Sequence, residues 1–253
     1  MKKQIIIGLL FLTIPLAAAT PITDNEWHGY IRIEGETATI WSGEITVGET
    51  TINAINDSTS QIEEYTIPYP SVLGALEEAS KIAGFTYEVI YYPSWHAFYV
   101  KSINGESDWW HYWVDYDLPM VDAGSYELKG DNEEILWGYL ETWYAHALRI
   151  NVEKTSVEKN EEFTVTVFNE TLSPVEDAVV HVGSEIYNTN EDGTVKIKLS
   201  QKGDYEIYAE KEGYVRSEKV KIHVKNILQK WNINNLIQRI EHLHKLLELL
   251  FPK

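Results

Sequence analysis

Cysteine is absent from this chain. That excludes disulfides, thiol nucleophiles, iron–sulfur clusters and thiolate zinc sites. Basic residues are scarce: 21 Lys plus Arg face 39 Asp plus Glu, a net charge of -18. Phosphate backbones and anionic lipid headgroups need a positive surface, so a nucleic-acid or acidic-membrane partner is excluded as well. Long apolar runs are missing beyond the N-terminus, so no later segment reads as a transmembrane helix. The familiar enzymatic signatures GxSxG, GxGxxG, the P-loop and HExxH are missing too, and no enzymatic activity is expected. Hydrophobic residues nevertheless make up 44% of the 253 positions, enough for packed cores.

The N-terminus carries Lys2 and Lys3, an apolar run from Ile5 to Leu16, and Ala17-Ala18-Ala19. A short positive segment, a core of about a dozen apolar residues and small residues at the end describe a secretory signal peptide over residues 1–19. A secreted or cell-surface location is expected. Without disulfides, the exported domains must be held by their hydrophobic cores. Two sequons, Asn56-Asp57-Ser58 and Asn169-Glu170-Thr171, are present.

Residues 29–47 have strand character, with a turn at Gly35-Glu36. Residues 48–66 are rich in Thr, Asn, Glu and Ser and read as a surface loop with a short strand. A helix follows. Ser71 is its N-cap, Val72, Leu73, Leu76, Ala79 and Ala83 fall on one face, and Gly84 is its C-cap. Strands are expected over Phe85–Tyr92, Ala97–Ile103, Trp110–Tyr116, Tyr126–Leu128 and Glu134–Leu140. Turns at Asn104-Gly105, Asp122-Ala123-Gly124 and Gly130-Asp131-Asn132 separate them. This is an α+β, β-grasp-like pattern, the helix covering one face of a mixed sheet. From about Ala147 the composition turns to Thr, Val, Lys and Glu, with short strands every 8–12 residues, as in an all-β immunoglobulin-like sandwich. Expected units are thus 26–146, the sandwich at 147–225, and an amphipathic helix at 226–251, with the two β units unfolding independently. In that helix Ile233, Leu236, Ile240, Leu243, Leu247 and Leu250 form a short coiled-coil stripe. Such a stripe calls for self-association, or for docking on a domain of the same chain or on a partner's groove.

Several stretches of the first unit carry a resemblance. They are Tyr30-Ile31-Arg32-Ile33-Glu34-Gly35, Val72-Leu73-Gly74-Ala75-Leu76-Glu77-Glu78-Ala79, Tyr99-Val100-Lys101-Ser102-Ile103-Asn104-Gly105 and Trp110-His111-Tyr112-Trp113-Val114-Asp115. Ala123-Gly124-Ser125-Tyr126-Glu127-Leu128 and Glu134-Ile135-Leu136-Trp137-Gly138-Tyr139 close the set. Together they resemble a family of secreted prokaryotic domains of unknown function related to the small C-terminal β domain of transcobalamin and intrinsic factor. The resemblance covers about 110 residues. It implies a β-grasp-like fold and a ligand-holding role; it does not bring cobalamin with it, because the helical barrel that completes the cobalamin site in those carriers is missing. Residues 148–225 are similar to immunoglobulin-like or carboxypeptidase-regulatory-like sandwiches through Pro174–Val180, Thr189–Val195 and Gly203–Ala209. Such modules usually serve as spacers or adhesion units.

Aromatic density marks the candidate site. Six of nine tryptophans lie between Trp95 and Trp143. In a strand Trp110 and Tyr112 share one face, and His111 and Trp113 share the other. If one face meets the core, the other presents rings to solvent or ligand. The expected ligand-binding residues are Trp95, Trp109, Trp110, Tyr112 and Trp113, holding a small flat or ring-shaped molecule such as a corrinoid. The rival expectation is a structural or adhesive surface protein making protein–protein contacts. His96 and His111 are candidate ligands for a metal or macrocycle, although surface or structural roles are commoner for lone histidines. Asp115, Asp117 and Asp122 form an acidic turn without the DxDxDG pattern of a calcium loop.

Overall fold

The computed structural model describes residues 25–130, 134–226 and 233–250. The proposed signal peptide lies outside them. The chain is mostly β, with eighteen strands and two helices among the described residues.

The first unit holds two sheets. β1 (Trp27–Glu34) pairs antiparallel with β2 (Thr39–Val47) and parallel with β9 (Glu134–Tyr139), and β9 pairs antiparallel with β8 (Trp110–Val114). The sheet order is β2-β1-β9-β8. A second sheet, β4-β3-β5-β6-β7, uses β3 (Thr50–Asn56), β4 (Ile62–Ile67), β5 (Tyr87–Tyr92), β6 (Ala97–Ile103) and β7 (Glu106–Ser107). Its centre is the parallel contact of β3 with β5.

Helix α1 (Val72–Ala83) contributes Val72, Leu73, Leu76 and Ala79 to one core together with Trp27, Ile31, Ile33, Ile52, Ile103 and Trp137. Its ends follow local chemistry. The Ser71 hydroxyl accepts the Gly74 N–H at 2.9 Å, and Gly84 closes the helix at φ 74°, a conformation that costs glycine little.

Three expectations need correction here. The polar segment 48–66 is no loop but mostly the β3–β4 hairpin. Thr50, Ile52 and Ala54 are buried alternately with exposed Thr51 and Asn53, so period two holds beneath a polar composition. Tyr126–Leu128 forms no strand; Glu127 makes only an isolated bridge to Ser71. And the helix serves a core walled by two sheets rather than covering a single mixed sheet.

The second unit is a pair of sheets. One has the order β15-β12-β10-β17, from β10 (His146–Val152), β12 (Glu162–Asn169), β15 (Thr194–Lys198) and β17 (Tyr214–Val215). The other has the order β11-β18-β16-β13-β14, from β11 (Ser156–Glu158), β13 (Val179–Val182), β14 (Glu185–Asn188), β16 (Gly203–Glu210) and β18 (Val220–Lys225). Alternate residues such as Phe163, Val165 and Val167 point into its separate core. Helix α2 spans Ile233–Leu250. Ile240 and Leu243 of its apolar stripe are exposed; the side chains of Ile233, Leu236, Leu247 and Leu250 lie outside the described set. None of the described helices is long and apolar enough to cross a membrane.

The two β units meet at a buried junction. On β1, Ile31 and Ile33 enter the first core while Arg32 and Glu34 project to the opposite face. That face is covered: Arg32 is 2% exposed. Its guanidinium donates to Glu34 Oε1 at 3.2 Å, to the Arg216 carbonyl at 2.9 Å and to the Tyr116 hydroxyl at 3.1 Å. Arg216 returns bonds to Glu34 Oε2 at 3.1 Å and to the Gly35 carbonyl at 2.9 Å. Tyr116 donates in turn to Glu218 Oε2 at 3.1 Å, and Arg149 lies 4.4 Å from the centre of its ring. Around this polar set Trp113, Leu136, Ala145, Ala147 and Val215 form a small apolar cluster. At Gly138 any Cβ would sit 2.4 Å from a Val215 methyl, so the close approach of the two units requires glycine there.

Burial alone would lower the Arg32 pKa. The facing Tyr116, Glu34, Glu134 and Glu218 outweigh it and hold the guanidinium firmly charged. Glu134 lies on the other side of that balance: burial raises its pKa and Arg32, at 3.5 Å, offsets only part. Removing one partner from a buried ionic set strands the others. Arg32→Ala is therefore expected to cost about 3–5 kcal/mol of stability, read by urea denaturation of the full chain, and to split one cooperative transition into two. A loss below about 1 kcal/mol, the range of exposed pairs, would show that the junction is not the coupling element.

Candidate functional site

An open cleft of about 540 Å³ lies where the two sheets of the first unit meet. The β5–β6 hairpin gives it Tyr92, Trp95, Phe98 and Tyr99; β8 and the residues before it give Asp108, Trp109, Trp110 and His111; the segment after β9 gives Trp143. Its volume is within the range of small-molecule pockets, and its wall is overwhelmingly aromatic.

Local backbone chemistry sets each jaw. Tyr92-Pro93-Ser94-Trp95 is a turn closed by the Trp95 N–H donating to the Tyr92 carbonyl at 3.1 Å. Pro93 fixes the φ that the second turn position needs. The tip holds the Trp95 ring 75% exposed and 5.3 Å from the Tyr92 ring. On the other jaw, Asn104 and Gly105 take φ of 52° and 86° and turn β6 into β7. Asp108 then sits at φ 71°, a left-handed conformation that Asp tolerates better than most residues, with its N–H bonded to the Lys101 carbonyl at 2.7 Å. This redirects the chain so that Trp109 packs edge-on against Trp143, ring centres 5.2 Å apart. Trp110 forms the floor; its indole N–H donates to the Glu106 carbonyl at 2.8 Å.

Polar groups in the cleft are few. Asp108 Oδ1 accepts from the Tyr99 hydroxyl at 3.4 Å. Burial and the Asp108 charge raise the Tyr99 pKa, keeping the phenol protonated. Burial lowers the His111 pKa, against the pull of its contacts with the Leu140 and Thr142 backbone, so the imidazole is neutral at neutral pH. Asp108 is thus the single full charge among the lining residues, and none of them is Lys or Arg.

The sequence-derived candidates divide. Trp95, Trp109 and Trp110 line the cleft; Tyr112 and Trp113 do not. The expectation that one face of β8 meets solvent fails. Trp110 is 8% exposed in the first core, beside Tyr112, whereas Trp113 is 0% exposed in the junction with the second unit. The second sandwich covers what the strand pattern left open. Tyr112 is tied inward, donating to the Val121 carbonyl at 2.7 Å. Trp143, Tyr92, Tyr99, Phe98 and Asp108 complete the cleft and escaped the strand-face reasoning, because they come from turns and from a second sheet. The Trp143 side chain had a signal in the same aromatic cluster. His96 points to the Tyr91 hydroxyl at 3.2 Å, outside the cleft lining. Asp122 serves the fold, its carboxylate accepting the Phe98, Gly124 and Ser125 N–H groups. Asp115 begins a tight turn and accepts the Glu134 N–H at 3.0 Å.

A protein-family model described as a domain of unknown function (DUF4430) matches residues 70–141. That stretch runs from just before the N-cap of α1 to just past β9 and contains every cleft residue except Trp143. It is rich in β structure, with one helix. No curated protein matches the chain. Among solved structures, the D00-D0 domain of Intimin is similar at 15% identity and a TM-score of 0.23, over 38% of this chain and 60% of that one. The chain thus spans less than two thirds of that structure, and a likeness at this TM-score carries no argument about role.

Burial predicts the response to truncation. Trp113→Ala is expected to cost about 3–5 kcal/mol. Trp143→Ala, at 84% exposure, should change stability by no more than about 0.5 kcal/mol. Equal losses in chemical denaturation would mean that the Trp143 ring is packed and the cleft closed.

Proposed function

We propose that the chain is a non-catalytic, extracytoplasmic binding protein whose first unit holds a small ligand, such as a flat or ring-shaped molecule, in the cleft between Trp95, Trp109, Trp110 and Trp143. The observation that carries this reading is concavity. The rings line a cleft of about 540 Å³ rather than a flat patch, and a concave apolar wall with few polar groups is the usual form of a small-molecule site. The β-grasp-like reading of the first unit fits the order of its second sheet, in which α1 links the β3–β4 hairpin to the β5–β6 hairpin and β3 runs parallel to β5. The second unit acts as a rigid base, because it is joined through Arg32 and Arg216 rather than through a free linker.

Tryptophan fluorescence of the purified protein, titrated with corrinoids, haem, oligosaccharides and peptides, tests the reading. At least one class should change the emission saturably, and Trp95→Ala together with Trp143→Ala should abolish the change. A flat response to all four classes would exclude each of them as the guest of the cleft.

A structural or adhesive role is the second reading. It is favoured by the exposure of Trp95, Trp143 and Tyr144 near one edge and of Ile240 and Leu243 on α2. In that reading the helix assembles copies of the chain or docks on a partner. Ile240→Asp with Leu247→Asp would place charges in the apolar stripe, where desolvation is costly. Light scattering should then show a drop in mass while both β units stay folded. A wild type that is monomeric at high concentration would remove the self-association branch.

A further inference from the structure

Resting on the cleft being a ligand site, we propose that it recognises an organic cation, a quaternary ammonium group held against the faces of the Trp and Tyr rings. The rings carry negative faces, and a cation within about 6 Å of a ring centre is attracted to them, most strongly by Trp. Here three tryptophans and two tyrosines come from different segments of one cleft, as the pairs Tyr92–Trp95 and Trp109–Trp143 with Tyr99 beside them. Asp108 supplies the one full charge, and it is negative. No lysine or arginine lines the wall to compete for the rings or repel the guest.

The same inventory disfavours a sugar. A sugar ring stacks on tryptophan but also needs donors and acceptors for its hydroxyls. Here the Trp110 indole N–H is already bonded to the Glu106 carbonyl, and His111 is engaged with the Leu140 carbonyl at 3.2 Å. A quaternary ammonium has no N–H to satisfy, so it needs no acceptor from this largely aromatic wall. The net charge of -18 adds a long-range field that concentrates cations near the surface. The cleft exceeds one trimethylammonium in size, which leaves room for the substituent that carries it. That substituent could belong to a free metabolite or to a phosphocholine lipid headgroup; the ammonium chemistry is common to both.

The test is a fluorescence titration of the full chain at low ionic strength with tetramethylammonium, choline and 3,3-dimethylbutan-1-ol, the uncharged carbon isostere of choline. Choline should bind at least about tenfold tighter than the isostere, the factor that about 1.4 kcal/mol represents. Asp108→Asn should weaken choline but not the isostere; asparagine also tolerates the left-handed backbone at this position. Trp143→Leu keeps an apolar side chain, removes the ring, and should likewise weaken choline selectively. Thermal unfolding midpoints equal to wild type would show that both variants are folded. A second arm uses phosphatidylcholine and phosphatidylglycerol vesicles. Sedimentation with the former alone, displaced by free choline, identifies a lipid headgroup as the source; choline binding without vesicle binding identifies a free compound. Equal affinity for choline and the isostere would overturn the cation assignment and leave the cleft as an apolar ligand site. Binding of neither, alongside a positive response to another ligand class, would overturn it as well; silence toward every ligand would remove the underlying site reading with it.

Discussion

Two arginines and one glutamate hold the molecule in its particular shape. Arg32 leaves the first unit and grasps a backbone carbonyl of the second; Arg216 leaves the second and grasps Glu34 and a carbonyl of the first. The exchange is reciprocal but uneven: Arg32 keeps Glu34, Glu134 and Tyr116 within its own unit and gains one carbonyl from the second, whereas Arg216 takes its hydrogen bonds from the first. Charges buried this way contribute less to stability than their distances suggest, because desolvation offsets much of the attraction. Their effect is on register: any sliding of one sheet against the other would part the Arg216 guanidinium from Glu34 and the Gly35 carbonyl. Tyr116 shows what the junction demands. A bulky residue at φ 67° is an outlier, and it is held there by Arg32, Glu218 and Arg149 around its ring and hydroxyl.

Much of the first unit was legible because local chemistry decides it. Ser71 and Gly84 bound α1 as their side-chain and backbone preferences require. Asn104-Gly105 turns β6 into β7. Segment 48–66 is polar by composition, and only the alternation of Thr50, Ile52 and Ala54 marks it as a strand. What no local rule could show is the second face of the β2-β1-β9-β8 sheet. Arg32 and Glu34 alternate with Ile31 and Ile33 as solvent-facing residues would, and only the arrival of residues 215–218 turns that face inward.

The candidate site follows the same division. Aromatic density pointed to the right region, and Trp95, Trp109 and Trp110 do converge. Strand alternation then misassigned Trp113, which is apolar filling at the junction, and could not gather Tyr92, Tyr99 or Asp108. Those residues meet the tryptophans through the packing of two sheets, a long-range fact. The indole N–H of Trp113 has no hydrogen-bond partner among the described residues. A ring chosen for volume at a junction can carry that cost where a ring chosen for recognition would turn its polar edge toward a guest.

The parallel pairing of β1 with β9 joins Tyr30 to Glu134 and Glu34 to Gly138. β1 therefore has no neighbour on that side until residues about a hundred positions later in the chain have joined it. Its charged face waits longer still, for Arg216. Pairings so distant in sequence form slowly. β1 can pair with β2 at once, but its other edge and its charged face stay open until those distant segments arrive, so the first unit closes late in folding.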